Sequence, residues 1–255
     1  MTEAKGFDGL IIGSGPNGLA AAIELARHGL SVLVIEGEAT IGGGTRTQEI
    51  TLPGFKHDIC SAIHPLSLAS PFLRTLPLQE HGLEWVHPEI PLAHPLENGE
   101  AVTIERSLPE TASRLGADSR AYLRMMAPMV DRWEDLMEDF LGPFPIPPRH
   151  PWLMARFGRH GIRSARGLAA GTFKGARAQA AFAGMAAHSI MPLERPGTAA
   201  FGLMLATLAH AVGWPMAKGG SQAIAGALAS HLVRLGGEIT TERTVTSFEQ
   251  LPPSR

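Results

Sequence analysis

The chain has 255 residues, 44% of them hydrophobic and 18% charged, with a formal net charge of −2, so it can bury a sizeable core in one or two domains and offers no basic footprint for nucleic acid. Cys60 is the single cysteine, which excludes an internal disulfide and agrees with a reducing compartment. No basic stretch leading into an apolar run opens the chain, and the longest apolar segment, 199–209, is too short to cross a bilayer. The expectation is a cytoplasmic protein without a signal peptide, a bound metal or a nucleic-acid partner.

The first informative stretch is 7–22. Leu10, Ile11 and Ile12 form an unbroken apolar run, the pattern of a parallel strand covered on both faces. Gly13, Gly15 and Gly18 then give G-x-G-x-x-G, and an alanine-rich helix follows, closed by His28 and Gly29. In a dinucleotide-binding turn the first glycine permits the bend and the second admits the pyrophosphate. The third lets helix and strand pack closely. Ser31–Ile35 reads as a second strand ending in Glu36, about twenty residues past the glycines, where an acid meets a ribose hydroxyl. The bland alternative is a structural βαβ unit in which Glu36 merely ends a strand.

Gly42, Gly43 and Gly44 precede Thr45, Arg46 and Thr47. Such a loop can lay backbone against a flat or anionic ligand, with Arg46 meeting a phosphate and the threonine hydroxyls donating hydrogen bonds. The alternative is a flexible loop with a solvated arginine. The glycine turn, the terminal acid and this glycine doublet together resemble the N-terminus of flavoproteins with two dinucleotide-binding segments, the superfamily of amine oxidases and phytoene desaturases. Leu52–Asp58, Ser61–Pro65, Ser70–Phe72 and Gly82–Trp85 are similar to the phytoene desaturase-like branch that includes the pyridine nucleotide-disulfide oxidoreductase domain proteins. One departure stands out: Thr40 and Gly44 occupy places that are often basic there.

The resemblance implies an α/β fold: a Rossmann-like FAD-binding domain with an inserted, mostly helical α+β substrate domain. It places 1–86 in the first part of the FAD domain, 87–212 in the insertion, and 213–255 in the return to the FAD domain. It implies FAD as cofactor. Gly13, Ser14, Gly15, Pro16, Asn17 and Gly18 would surround the pyrophosphate. Glu36, with Gly37 beside it, would take the ribose; Gly42, Gly43, Gly44, Thr45 and Arg46 the phosphates and ring edge; and Val245 the adenine. The family runs about twice as far, so the C-terminal half of the fold is expected to be missing, supplied by a longer protein or by a second chain.

In the middle, Leu92–Leu96 and Ala101–Ile104 flank an Asn98-Gly99 turn and read as a hairpin, and Ser107 with Glu110 reads as a helix start. A helix after Asp118 carries an apolar stripe from Tyr122 to Phe140, with Pro128 expected to kink or divide it. Asp131, Glu134, Asp135, Glu138 and Asp139 lie opposite the stripe. The stripe is either plain core or the lining of a tunnel for an apolar or lipid-like substrate. Beyond the proline-rich linker 142–148, seven basic residues from Arg149 to Arg177 mix with Trp152 and Phe157. That is either a solvated face paired with the acidic helix or a peripheral membrane contact. Two apolar helices over 178–188 and 196–212 should bury His188 and His210. Ser221 should cap the helix 222–235, and strands should follow at 238–241 and 243–248, the second left as an unpaired edge.

No residue declares itself catalytic. Cys60 reads as a small core residue, and His64 as an acid–base candidate only by its nearness to the doublet. The leading expectation is an FAD-dependent oxidoreductase that moves a hydride between a C–H or C=C substrate and flavin. A non-catalytic nucleotide-binding or interaction module, one chain of a split enzyme, and NAD-dependent chemistry through the same turn are the alternatives.

Overall fold

The computed structural model describes residues 6–97, 99–143 and 145–253. They gather into two units. The first contains the chain up to His64, Leu76–Val86, and the chain from Met216 onward; the second contains Pro65–Thr75 and His87–Pro215. In chain order the elements are β1 (Gly9–Ile12), α1 (Pro16–Arg27), β2 (Val32–Ile35), β3 (Thr47–Gln48), β4 (His57–Asp58), α2 (Pro65–Ala69), β5 (Trp85–Val86), β6 (Leu92–Pro95), β7 (Ala101–Ile104) and α3 (Leu108–Ser113). They continue with α4 (Ser119–Val130), α5 (Trp133–Leu141), α6 (Pro151–Gly161), α7 (Ala165–Thr172), α8 (Ala176–Ala186), α9 (Thr198–Ala211), β8 (Met216–Ala217), α10 (Gln222–Arg234) and β9 (Glu238–Thr240).

The first unit is Rossmann-like. β1, β2 and β9 form a parallel sheet in that order, with Leu10 opposite Leu33 and Val34 opposite Ile239. All four residues of β2 are buried, as an apolar run in a central strand should be. β1 departs from the expected two-sided burial. It lies at the sheet edge, and Ile12 is 58% exposed. α1 ends where Gly29 takes a φ of 79°, letting its N–H reach Ala26 O and the Leu30 N–H reach Leu25 O. α1 and α10 pack on each other, and Ile11 faces Gly18 of α1. The opposite face of the sheet buries Phe7, Leu33 and Ile35 with Leu10, Val245 and Leu251.

The segment 243–248 is not the second strand that its alternation suggests. Glu242, at φ 56°, turns the chain, and the Glu242 and Arg243 N–H groups bond to Glu38 O and Glu36 O. Ser247 and Gln250 then form a reciprocal capping box that starts a short 3-10 turn at Phe248–Gln250. Local side-chain capping thus overrides the period-two pattern, and Val245 lies on no strand that could present an unpaired edge.

The second unit is mostly helical. β6 and β7 pair antiparallel in the expected hairpin; Asn98 of its turn lies outside the described residues. Ser107 Oγ accepts the Glu110 N–H at 3.3 Å and caps α3. Pro128 does not divide the next helix: α4 continues through it to Val130, and the break falls at Asp131–Arg132. Proline at this position leaves the Arg124 carbonyl without its i+4 donor. The Arg156 guanidinium donates to that carbonyl at 3.1 Å and supplies the missing partner.

Asp139, expected on a solvated face, is fully buried. Its two carboxylate oxygens accept the Arg149 and His150 N–H groups, each at 3.0 Å, at the start of α6. Asp118 likewise turns inward and accepts from the Lys174 and Gly175 N–H groups ahead of α8, leaving α4 without a side-chain cap. Tyr122, Met126, Met129, Leu136 and Met137 are fully buried as core. His210 is buried, with Tyr122 Oη at 2.8 Å from its Nε2, whereas His188 is exposed at the end of α8 and stacks edge-on against Trp214. The basic run pairs in several directions, Arg149 with Glu138, Arg166 with Glu194 and Arg177 with Glu100, all exposed pairs of little energetic weight. Trp152 is 85% exposed. Among the described residues no helix is long and apolar enough to cross a membrane.

Candidate dinucleotide site

The glycine turn joins the carboxyl end of β1 to α1. Gly13 has a φ of 97°, a conformation that L side chains avoid. A Cβ on Gly18 would lie 2.2 Å from Gly13 O, so this position admits no side chain while helix and strand stay packed. A Cβ on Gly15 would meet nothing within 4 Å. The backbone there faces open space, as a cradle for a pyrophosphate requires. Gly15 is the N-cap of α1 and supplies no side-chain cap; Pro16 is the first helical residue and brings no N–H. The Asn17 and Gly18 N–H groups therefore head a 12-residue helix with no acid in its first turn, which favours an anion.

The doublet loop lies against this turn. The Gly42 N–H donates to Ser14 O at 3.1 Å, and a Cβ on Gly43 would lie 3.2 Å from Gly15 Cα. Gly44 borders Cys60, which is exposed rather than buried in a core. Gly37 backs onto Thr244, one residue before Val245, whose side chain is packed into the sheet core.

Glu36 ends β2 and reaches back to the glycine turn. Its Oε2 accepts the Ser14 N–H at 2.9 Å and the Ser14 hydroxyl at 2.5 Å, and its Oε1 accepts the Glu38 N–H at 3.0 Å. Burial works against its ionisation, but these three bonds and the nearby Arg46 charge outweigh burial and hold the carboxyl below the usual glutamate range. Glu36 is thus a fixed anion beside the turn. A carboxylate offers about four lone-pair sites, so one acceptor position is left for a hydroxyl.

Two expectations for the loop need correcting. The threonine hydroxyls do not point to a ligand: Thr45 Oγ1 donates to Gly42 O at 2.8 Å, and Thr47 Oγ1 donates to Asp58 Oδ1 at 2.5 Å. The tight loop leaves the Gly42 carbonyl in need of a donor, which Thr45 supplies, while Thr47 is taken by the Asp58 carboxylate. Arg46 also folds back, donating from Nε to Gly43 O at 3.1 Å and approaching Glu38 at 3.4 Å. Its guanidinium shapes the doublet as well as placing positive charge beside it.

Sequence reasoning missed a polar knot on the far side of the doublet. Asp58 Oδ1 accepts the Ser221 N–H at 2.8 Å, and Ser221 Oγ donates to Ser61 O at 2.7 Å and lies 2.7 Å from His64 Nε2. Ser221 therefore does not cap α10 with its own side chain; Asp58 serves that end instead. Burial pushes the His64 imidazole below the usual histidine range, with the Asp58 charge pulling the other way. Burial also opposes ionisation of Asp58, but bonds from Thr47 and Ser221 keep its carboxyl low. His64 is a buried strut in this arrangement, not an accessible acid or base. A cavity of about 330 Å³ lies beside the knot, between Gln48, Glu49 and Lys56 on one side and Gly219, Gln222 and Ala223 on the other. Thr47 also lines it, but none of the residues expected around the pyrophosphate, ribose or adenine does.

Residues 11–76 match the family model described as an NAD(P)-binding Rossmann-like domain. The chain is 37% identical over 142 residues to pyridine nucleotide-disulfide oxidoreductase domain-containing protein 2 of Mus musculus, a match covering 52% of this chain and 23% of that protein. It is 26% identical over 143 residues to a limonene dehydrogenase subunit of Castellaniella defragrans, covering 56% of this chain and 26% of the relative. Among solved structures, wild-type putrescine oxidase bound to putrescine is similar with a TM-score of 0.56 and 25% identity, over 93% of this chain and 51% of that one. The chain thus carries a Rossmann-like dinucleotide-binding domain in a fold shared with flavin amine oxidases, is homologous to the murine protein over about half of its own length, and spans only a part of each relative.

Proposed function

We propose that the chain is the FAD-binding portion of an oxidoreductase of the phytoene dehydrogenase-like kind. The observation that carries the proposal is the pairing of an open, uncapped glycine turn at Gly15 with a doublet loop seated against it at Gly43. A simple NAD turn has no need of the second glycine segment. When bound, the flavin would accept or return the hydride, and the protein would supply binding and orientation. Gly13, Gly15 and the first turn of α1 would hold the pyrophosphate, Glu36 a ribose hydroxyl, and the backbone of Gly42–Gly44 the region beside the phosphates. Val245, held in the sheet core by its side chain, would offer only its backbone to the adenine.

An apolar substrate with a C–H or C=C bond suits this reading. One relative is named for limonene, a hydrocarbon, and its name also marks it as one subunit of an assembly. Peripheral membrane contact through the exposed Trp152 and its basic neighbours is part of the same proposal, as is a longer protein or a second chain completing the fold.

The test is a visible spectrum of the purified protein, followed by denaturation and identification of any released nucleotide. FAD release supports the proposal. Tight binding of NAD(H) with no affinity for FAD, or no binding of either, would refute it, the last outcome favouring an interaction module.

A further inference from the structure

We propose that the first turn of α10 is a clamp for the doublet loop, and that Gln222 is the positioning residue through which it acts. The inference rests on the FAD reading above. Gln222 Nε2 donates to Ile41 O at 3.0 Å, although the two residues are 181 positions apart. The next residue, Gly42, is at a φ of 117°, and a Cβ there would lie 3.2 Å from Ala225 Cβ and 3.4 Å from Gln222 Nε2. The loop is therefore fitted to α10 on one side. On its other side, Gly42 donates to Ser14 O and Gly43 rests on Gly15. The doublet is held between α10 and the glycine turn, at the point the pyrophosphate must pass.

The turn that projects Gln222 is itself anchored. The Gln222 N–H donates to Thr47 Oγ1 at 3.0 Å, and Thr47 Oγ1 donates to the same Asp58 oxygen that receives the Ser221 N–H. A carboxylate at the positive end of a 13-residue helix is favourably placed. Asp58 thus occupies the end of α10, which makes this helix a strut and leaves α1 to receive the cofactor. The spacing between Gly43 and Gly15 is accordingly set by a side chain from the far end of the sequence.

Two substitutions separate this role from general stabilisation. Gln222→Met keeps the length and removes the donor. Gln222→Glu also removes it, but adds an acid to the first turn of α10, which supports the helix by itself. We expect both variants to bind FAD about tenfold more weakly in a fluorescence titration, the size of one lost hydrogen bond. The Tm of Gln222→Glu without FAD should equal or exceed that of the unaltered protein. Unchanged FAD affinity in both variants overturns the clamp, as does a parallel loss of affinity and Tm in Gln222→Glu. An unaltered protein that binds no FAD overturns the underlying reading together with the clamp, whereas FAD binding that is indifferent to Gln222 overturns the clamp alone.

Discussion

Two glycines three positions apart should fail in opposite ways. No protein atom lies within 4 Å of where a Cβ on Gly15 would sit, so Gly15→Val should leave Tm nearly unchanged while abolishing FAD binding. Gly18 has a carbonyl oxygen 2.2 Å from where a Cβ would sit, so Gly18→Val should destabilise the fold itself by about 2–4 kcal/mol. Thermal unfolding and FAD titration on both variants check the contrast. Glu36→Ala should weaken FAD by about 1–3 kcal/mol, measured by the same titration. These positions are legible in the sequence because their constraint is local: a bend, a close approach, an acid at a strand end. The inward turn of the Thr45 and Thr47 hydroxyls is not, because it depends on which acceptors the fold brings beside them, the Gly42 carbonyl for Thr45 and the Asp58 carboxylate for Thr47.

Helices and strands were readable where periodicity faced no competitor, as in α1, β2 and the β6–β7 hairpin. They were misread where a side chain redirected the backbone. The acidic stripe of α5 gave no sign that Asp139 turns inward, since its partners lie ten and eleven residues on, past a proline-rich linker. Asp139→Ala would leave the Arg149 and His150 N–H groups at the start of α6 without their acceptors. It should cost about 2–4 kcal/mol, read as a lowered urea midpoint with an unchanged slope. Arg156 similarly rescues the carbonyl orphaned by Pro128, a contact between helices that no single-helix pattern encodes. In the 243–248 segment the Thr-Val-Thr alternation is real, but the Ser247–Gln250 capping box decides the outcome.

Across the whole molecule, stability should depend on pH in two steps. His64 and His210 are held below the ordinary histidine value of 6.5, chiefly by burial, so the unfolded chain binds those protons more readily. Their contribution is complete above pH 6.5 and is lost as pH falls through the lower folded values. Glu36 and Asp58 lie below their ordinary values of 4.5 and 3.8, so their contribution is present above those values and disappears as the folded carboxyls take up protons. Tm measured against pH should fall first below neutrality and again in strong acid. The Rossmann-like unit draws on both ends of the sequence; the polar knot within it, joining Asp58, His64 and Ser221, is not legible in the sequence because it links residues about 160 positions apart. The most direct test of the whole account is a titration of the purified protein with FAD beside its Gly15→Val variant. Saturable binding that vanishes in the variant, with Tm preserved, is the predicted result; equal binding by both proteins would contradict it.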